Sequence, residues 1–227
     1  MPTKKPLDPA LDLTLKPGTL EKNPGLTPKP LKGFLMPVDD AFTITGRGTV
    51  VTGQVERGTL QTGATVACIG FGKTAEYVVT AMSTDAGQVT KIKKGDKASL
   101  LLRGAGTKSV VRGMVVATPN SVKESKEFEA EIEVTKPKKT LPEKTPLVEK
   151  SKLKLQFAIR TALVTGTMST LEIISKTATK VRAKVRVKLS TSVALEVGLP
   201  FTVSNGDLIS AKGVVTKVIL LLKGIKP

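Results

Sequence analysis

The sequence predicts an all-β chain: two consecutive closed antiparallel barrels behind an extended N-terminal arm rich in proline and lysine. Short apolar runs such as Ala64-Thr65-Val66-Ala67-Cys68-Ile69, Ala98-Ser99-Leu100-Leu101-Leu102 and Met114-Val115-Val116-Ala117 alternate with glycine-centred turns, the signature of strands joined by tight connections. No stretch keeps the 3.6-residue period of an amphipathic helix. Many short strands expose many edges, and closure into barrels is the economical way to remove them. With six Phe, one Tyr and no Trp in 227 residues, the cores must rest on Val, Leu, Ile and Ala.

The arm comes first. Residues 1–33 hold seven of the fourteen prolines and six lysines, including Lys4, Lys5 and Lys29. Proline removes donors that ladders and helices need, so this arm is expected to be extended and solvated alone, and pinned when a partner is present. The first barrel is expected over residues 34–122. Its opening hairpin, Gly46-Arg47-Gly48-Thr49-Val50-Val51-Thr52-Gly53-Gln54-Val55-Glu56-Arg57-Gly58, places glycines where a small barrel turns sharply. The second barrel is expected over residues 126–227. There Phe128-Glu129-Ala130-Glu131-Ile132-Glu133-Val134 alternates strictly, and Gly213-Val214-Val215-Thr216-Lys217-Val218-Ile219 ends the pattern.

Charge narrows the function. The chain carries 36 Lys and Arg against 19 Asp and Glu, a formal net charge of +17, and so much like charge favours a polyanionic partner. Arg182, Lys184, Arg186 and Lys188 alternate along one run, so in a strand they line one face over roughly 20 Å. Lys150, Lys152 and Lys154 repeat the device beside Leu153, Leu155 and Phe157. Both stripes are candidate phosphate contacts. The competing reading pairs them with Glu129, Glu131 and Glu133, but three carboxylates cannot neutralise seven cations. With so few aromatics, stacking on bases is not expected, and recognition should be of backbone and shape. Lys91, Lys93, Lys94 and Lys97, and separately Lys136, Lys138 and Lys139, add basic loops.

Several chemistries are disfavoured. The chain has no His and one cysteine, Cys68, which removes the commonest general base, a leading zinc ligand and any internal disulfide. No nucleophile has an evident base, so an enzyme is not expected, nor a metal or other cofactor. No apolar run approaches membrane-spanning length, and no basic amphipathic helix appears. Ala67-Cys68-Ile69-Gly70-Phe71-Gly72-Lys73-Thr74 satisfies a relaxed phosphate-loop pattern. Glu76-Tyr77-Val78-Val79-Thr80 comes next and reads as strand rather than the helix that mechanism needs, so nucleotide binding is not expected.

The Gly46–Gly58 hairpin, preceded by Phe34-Leu35-Met36-Pro37-Val38-Asp39-Asp40-Ala41-Phe42, resembles the start of the second domain of bacterial-type elongation factor Tu. Leu100-Leu101-Leu102-Arg103-Gly104 and Arg112-Gly113-Met114-Val115-Val116-Ala117 extend the resemblance at the right spacing. Gln156-Phe157-Ala158-Ile159-Arg160-Thr161, Val164-Thr165-Gly166-Thr167 and Ala194-Leu195-Glu196-Val197-Gly198-Leu199-Pro200-Phe201 carry it into a third domain, so it spans Phe34 to Ile219. It implies two translation-factor-type barrels. The family also places a GTPase domain ahead of this hairpin; with 45 residues before Gly46, that motor is expected to be missing.

The family's second domain holds the aminoacyl end of tRNA, and Asp39, Asp40, Phe42 and Thr52 match that pocket. A family His-Arg pair is replaced by Asp85 and Ala86, and an Asn by Lys97. Gln156 and Thr165 match third-domain positions that touch the tRNA arm, while a family Arg-His-Thr becomes Glu143-Lys144-Thr145 and arginines around Phe201 become Pro200 and Ser204. Barrel positions are kept where ligand positions have changed. The expectation is a non-catalytic RNA-binding scaffold built into a ribosome, in a mitochondrion or other organelle before a bacterial cytoplasm, with ribosomal RNA and neighbouring ribosomal proteins as partners. Two alternatives stay open: an accessory factor binding aminoacyl-tRNA without its own GTPase, and an isolated two-barrel fragment of elongation factor Tu.

Overall fold

The computed structural model describes residues 33–106, 108–135, 155–177, 180–204 and 210–220, and these form sixteen strands and no helix. The first ten are β1 (Leu35–Pro37), β2 (Asp40–Ile44), β3 (Gly48–Gln54), β4 (Thr59–Gln61), β5 (Thr65–Gly70), β6 (Lys73–Thr84), β7 (Gly87–Val89), β8 (Lys91–Lys93), β9 (Lys97–Arg103) and β10 (Val115–Ala117). Eight of them build one antiparallel sheet in the order β1-β10-β5-β6-β9-β3-β2, with β7 attached to β6, while β4 and β8 form a separate ribbon. Alternation explains the burial. In β3, Thr49, Val51 and Gly53 face inward, and in β9 Ala98, Leu100 and Leu102 do the same, meeting Phe34, Met36, Val66 and Val79 in one core.

This first sheet does not close as expected. No ladder joins β1 to β2; instead a single bridge sets Leu35 against Arg57, with Leu35 N–H donating to Arg57 O (3.0 Å) and Glu56 N–H to Leu35 O (2.9 Å). The reason is local. β1 is three residues long and ends on Pro37, which has no N–H to extend a ladder. Where β1 crosses β3, a Cβ on Gly53 would overlap the Pro37 carbonyl oxygen, so that crossing requires glycine.

The remaining strands are β11 (Lys123–Thr135), β12 (Leu155–Ile159), β13 (Ala162–Lys176), β14 (Lys180–Leu195), β15 (Pro200–Ser204) and β16 (Ser210–Ile219). They form a closed antiparallel barrel in the order β11-β14-β13-β12-β15-β16, with β16 returning to β11. Phe128, Ala130, Ile132 and Val134 point into it from β11, and Val181 to Leu189 alternate inward from β14. Phe128 meets Phe201 edge-on at 5.3 Å between ring centroids. A Cβ on Gly213 would lie 2.5 Å from the Phe201 ring, so glycine there lets the ring fill the barrel.

The two units lie directly against each other. Leu35, Ala67, Ile69, Val115 and Ala117 of the first share an apolar seam with Val122 and Ala194. The β5–β6 turn docks alongside. Phe71 N–H donates to Ser192 O at 2.9 Å, and Gly72 N–H donates to the Glu124 carboxylate at 2.5 Å, which also accepts from the Ser192 hydroxyl at 2.8 Å. This turn is the phosphate-loop-like stretch. It joins two antiparallel strands, so no helix N-terminus stands behind it, and its amides are spent on the second barrel.

Candidate nucleic-acid interface

The β14 stripe is built as the alternation implies: its apolar residues are buried, and Lys184, Arg186 and Lys188 are exposed with Arg182 half-buried. Its electrostatics differ from the expectation of surplus cations. β11 lies beside β14 in a register that sets Glu127 opposite Lys188, Glu129 opposite Arg186, Glu131 opposite Lys184 and Glu133 opposite Arg182. Lys188 pairs with Glu127 (3.1 Å), Arg186 with Glu129 (2.8 Å), Arg182 with Glu131 (3.5 Å) and Lys180 with Glu133 (2.8 Å). Lys184 turns to β13 and pairs with Glu172 at 3.0 Å. Each stripe cation therefore faces its own carboxylate. The hydrogen bond from Arg186, with the charge of Lys217 assisting, holds Glu129 below the ordinary carboxylate value. The hydrogen bond to Glu172 pushes Lys184 up. Lys150, Lys152, Lys154, Lys4, Lys5 and Lys29 lie outside the described residues, as does most of the arm.

The tRNA-type residues fall into two separate cross-strand sets. Asp40 stands opposite Thr52 and Phe42 opposite Val50 on the β2–β3 hairpin, with Asp39 N–H donating to Thr52 O at 2.8 Å. Asp39 and Asp40 are exposed, and Phe42 is 51% exposed. In the barrel, Gln156 stands opposite Thr165, and the Thr165 hydroxyl contacts that of Ser190 at 3.1 Å. Lys97, where the resemblance implies Asn, begins β9 opposite Gln54.

Sequence reasoning missed the most organised polar group in the molecule. Arg57 makes a two-pronged contact with Glu196 across the unit boundary, at 2.7 and 2.6 Å. Arg160 donates to the same Glu196 at 2.8 Å, to Glu56 at 2.9 Å, and to Ala194 O at 3.1 Å. Each unit thus contributes one arginine and one glutamate. The side chains of Arg160 and Glu196 are only 5% and 7% exposed. Burial pushes Glu196 up, but the hydrogen bond from Arg57 and the charges of Arg160 and Arg57 outweigh it, so its net shift is downward. Arg160 occupies the tight β12–β13 turn with φ of 53°, a left-handed conformation uncommon outside glycine. The signal in the sequence is weak: four charged residues, Glu56, Arg57, Arg160 and Glu196, at or near the ends of apolar runs, with nothing to place them together.

Cys68 is fully buried in the first core, and burial pushes its thiol up to about 12, opposite to what a nucleophile requires. Among the described residues no group of His, Cys, Asp and Glu could hold a metal.

Residues 48–117 match the family model of elongation factor Tu domain 2. This unit is an elongation factor Tu-like second domain. The match opens on the first residue of β3 and closes on the last of β10. It takes in the β5–β6 turn that docks on the barrel, Arg57 of the buried cluster, and the β4–β8 ribbon. The elongation factor Tu-like domain therefore supplies half of the boundary cluster.

Proposed function

We propose that this protein is a non-catalytic RNA-binding scaffold: an elongation factor Tu-like domain and a second barrel, residues 34–122 and 126–227, behind a basic arm over 1–33, serving as a structural component of an organellar ribosome. One observation carries the reading. The described residues hold 21 Lys and Arg against 13 Asp and Glu, so a surplus of eight cations would survive even if every carboxylate were paired. The two units each carry part of that surplus, and the buried Arg–Glu cluster supports their acting as one rigid body. A rigid, cation-rich surface with Phe42 as its one largely exposed aromatic ring suits phosphate backbone and shape rather than base readout.

Co-sedimentation with ribosomal particles at low and high monovalent salt tests this. Stoichiometric retention on a subunit at moderate salt is the expected result; absence from particles overturns it. A second reading, an aminoacyl-tRNA-binding accessory factor, is favoured by the kept pairs Asp40–Thr52 and Gln156–Thr165. Recovery of charged tRNA on pull-down, with no ribosomal particle, would support it instead.

A further inference from the structure

We propose that the surface meeting RNA phosphates is the β4–β8 ribbon of the elongation factor Tu-like domain with the turn that leads from it into β9, with Lys91, Lys93, Lys94 and Lys97 as the contacts, rather than the β14 stripe. The inference rests on the RNA-binding reading above and says which face of the molecule serves it.

The two faces differ in what their cations already hold. Each of the four β14 stripe cations has a carboxylate partner, and swapping that partner for phosphate would sacrifice an existing ion pair. Lys91 and Lys93 of the ribbon, Lys94 of the turn that follows and Lys97 at the start of β9 have no such partner among the described residues. The nearest carboxylate in sequence is Asp96; its Oδ2 accepts the Lys93 N–H at 2.8 Å, and it forms no ion pair with these lysines. Across the ribbon stand Thr59 and Gln61, opposite Lys93 and Lys91, both exposed and uncharged. They add hydrogen-bonding groups without opposing an anion.

The ribbon is also held firmly. Leu60 and Ile92 anchor it in the first core. The turn after β8 is fixed by Lys94 N–H to Gly58 O (3.1 Å), Gly95 N–H to Val55 O (2.9 Å) and Asp96 N–H to Lys93 O (3.1 Å), with Gly95 at φ of 95° supplying the left-handed step. The Gln54 side chain donates to Gly95 O at 3.2 Å. Backbone needs are thus met internally, and the lysine side chains project outward. Lys91 and Lys93 share a face about 6.6 Å apart, the two-residue repeat of a strand, similar to the step between successive phosphates of a nucleic-acid strand. The backbone is already ordered when the polyanion arrives, and only the lysine side chains have rotamer freedom left to lose.

The test compares two variants with the parent protein, using deproteinised ribosomal RNA as probe and binding measured from 50 to 300 mM salt. One variant is Lys91→Gln/Lys93→Gln/Lys94→Gln; the other, on the stripe, is Lys184→Gln/Arg186→Gln. Each lost phosphate contact lowers the log–log salt slope by about 0.7–0.9, so the ribbon variant should lose about 2–3 units of slope and bind more than tenfold more weakly at 100 mM. The stripe variant should keep the parent slope. Thermal melts confirm folding, and Lys93→Glu alone serves if the triple variant fails to fold. Steep parent binding that the ribbon variant retains would overturn this assignment and leave the RNA-binding reading standing. No binding by the parent at 50 mM, or binding to phosphatidylserine vesicles in preference to RNA, would overturn both.

Discussion

Replacing Glu196 by Gln removes one negative charge and almost no volume. In the native protein that carboxylate accepts from both Arg57 and Arg160 at 2.6–2.8 Å, and it is nearly inaccessible to water. Gln can accept at one oxygen only, so at least one guanidinium is left facing an N–H. Stranding a buried charge costs about 3–5 kcal/mol. The lower end applies, because Arg160 keeps Glu56 and the Arg57 side chain remains 19% exposed. At about 2–4 °C per kcal/mol for a protein of this size, E196Q should melt about 6–12 °C below the parent at pH 7. The loss should also depend on pH. Glu196 has a folded pKa below its ordinary value of 4.5, so its contribution is complete above that value and disappears as pH falls through the lower folded one. The gap between parent and variant should therefore close in acid. A variant melting within 2 °C of the parent at pH 7, or a gap undiminished at pH 3, would refute this account of the boundary.

Three further outcomes are expected. Gly53→Ala drives a Cβ into the Pro37 carbonyl and should destabilise the protein by about 2–4 kcal/mol through forced backbone movement, read as a lower denaturant midpoint; an unchanged midpoint would contradict the β1–β3 crossing. Arg186→Gln should shift the melting temperature by less than about 2 °C, since exposed ion pairs stabilise little; a large drop would mean that the ladder does structural work beyond pairing. Cys68 should resist a thiol reagent in the native protein at pH 8 and react stoichiometrically in denaturant; fast native labelling would place it outside the core.

Strand periodicity was legible in the sequence and charge pairing was not, for related reasons. Alternation is local, so Val181 to Lys188 announced which side chains point outward. Neutralisation depends on which strand lies alongside, and the β11–β14 register joins residues more than forty positions apart. Even so, Glu127 shares the phase of Glu129, Glu131 and Glu133, so a fourth carboxylate on that face is legible in the sequence. Glu172 became relevant only once β13 folded back on β14 through bulges that shift its register. Closure of the first sheet is not legible from strand count alone, because closure depends on edge lengths and Pro37 shortens one edge. The boundary cluster was unreadable, since Glu56 and Arg57 follow β3, Arg160 follows β12 and Glu196 follows β14, and these three separate connections meet only when both units are complete.

Because β16 is the strand that seals the second barrel against β11, the order of synthesis matters. The elongation factor Tu-like domain has its last strand once residue 117 is made, but the barrel cannot close until residue 219 emerges about 100 residues later. At translation rates of about 5–20 residues per second that wait is on the order of 5–20 s. During it β11 lacks its β16 neighbour, a ready site for wrong pairing between nascent chains. Glu127, Glu129, Glu131 and Glu133 on that waiting strand set four like charges beside its open edge, and like charges placed opposite one another disfavour pairing with a second copy of the same strand.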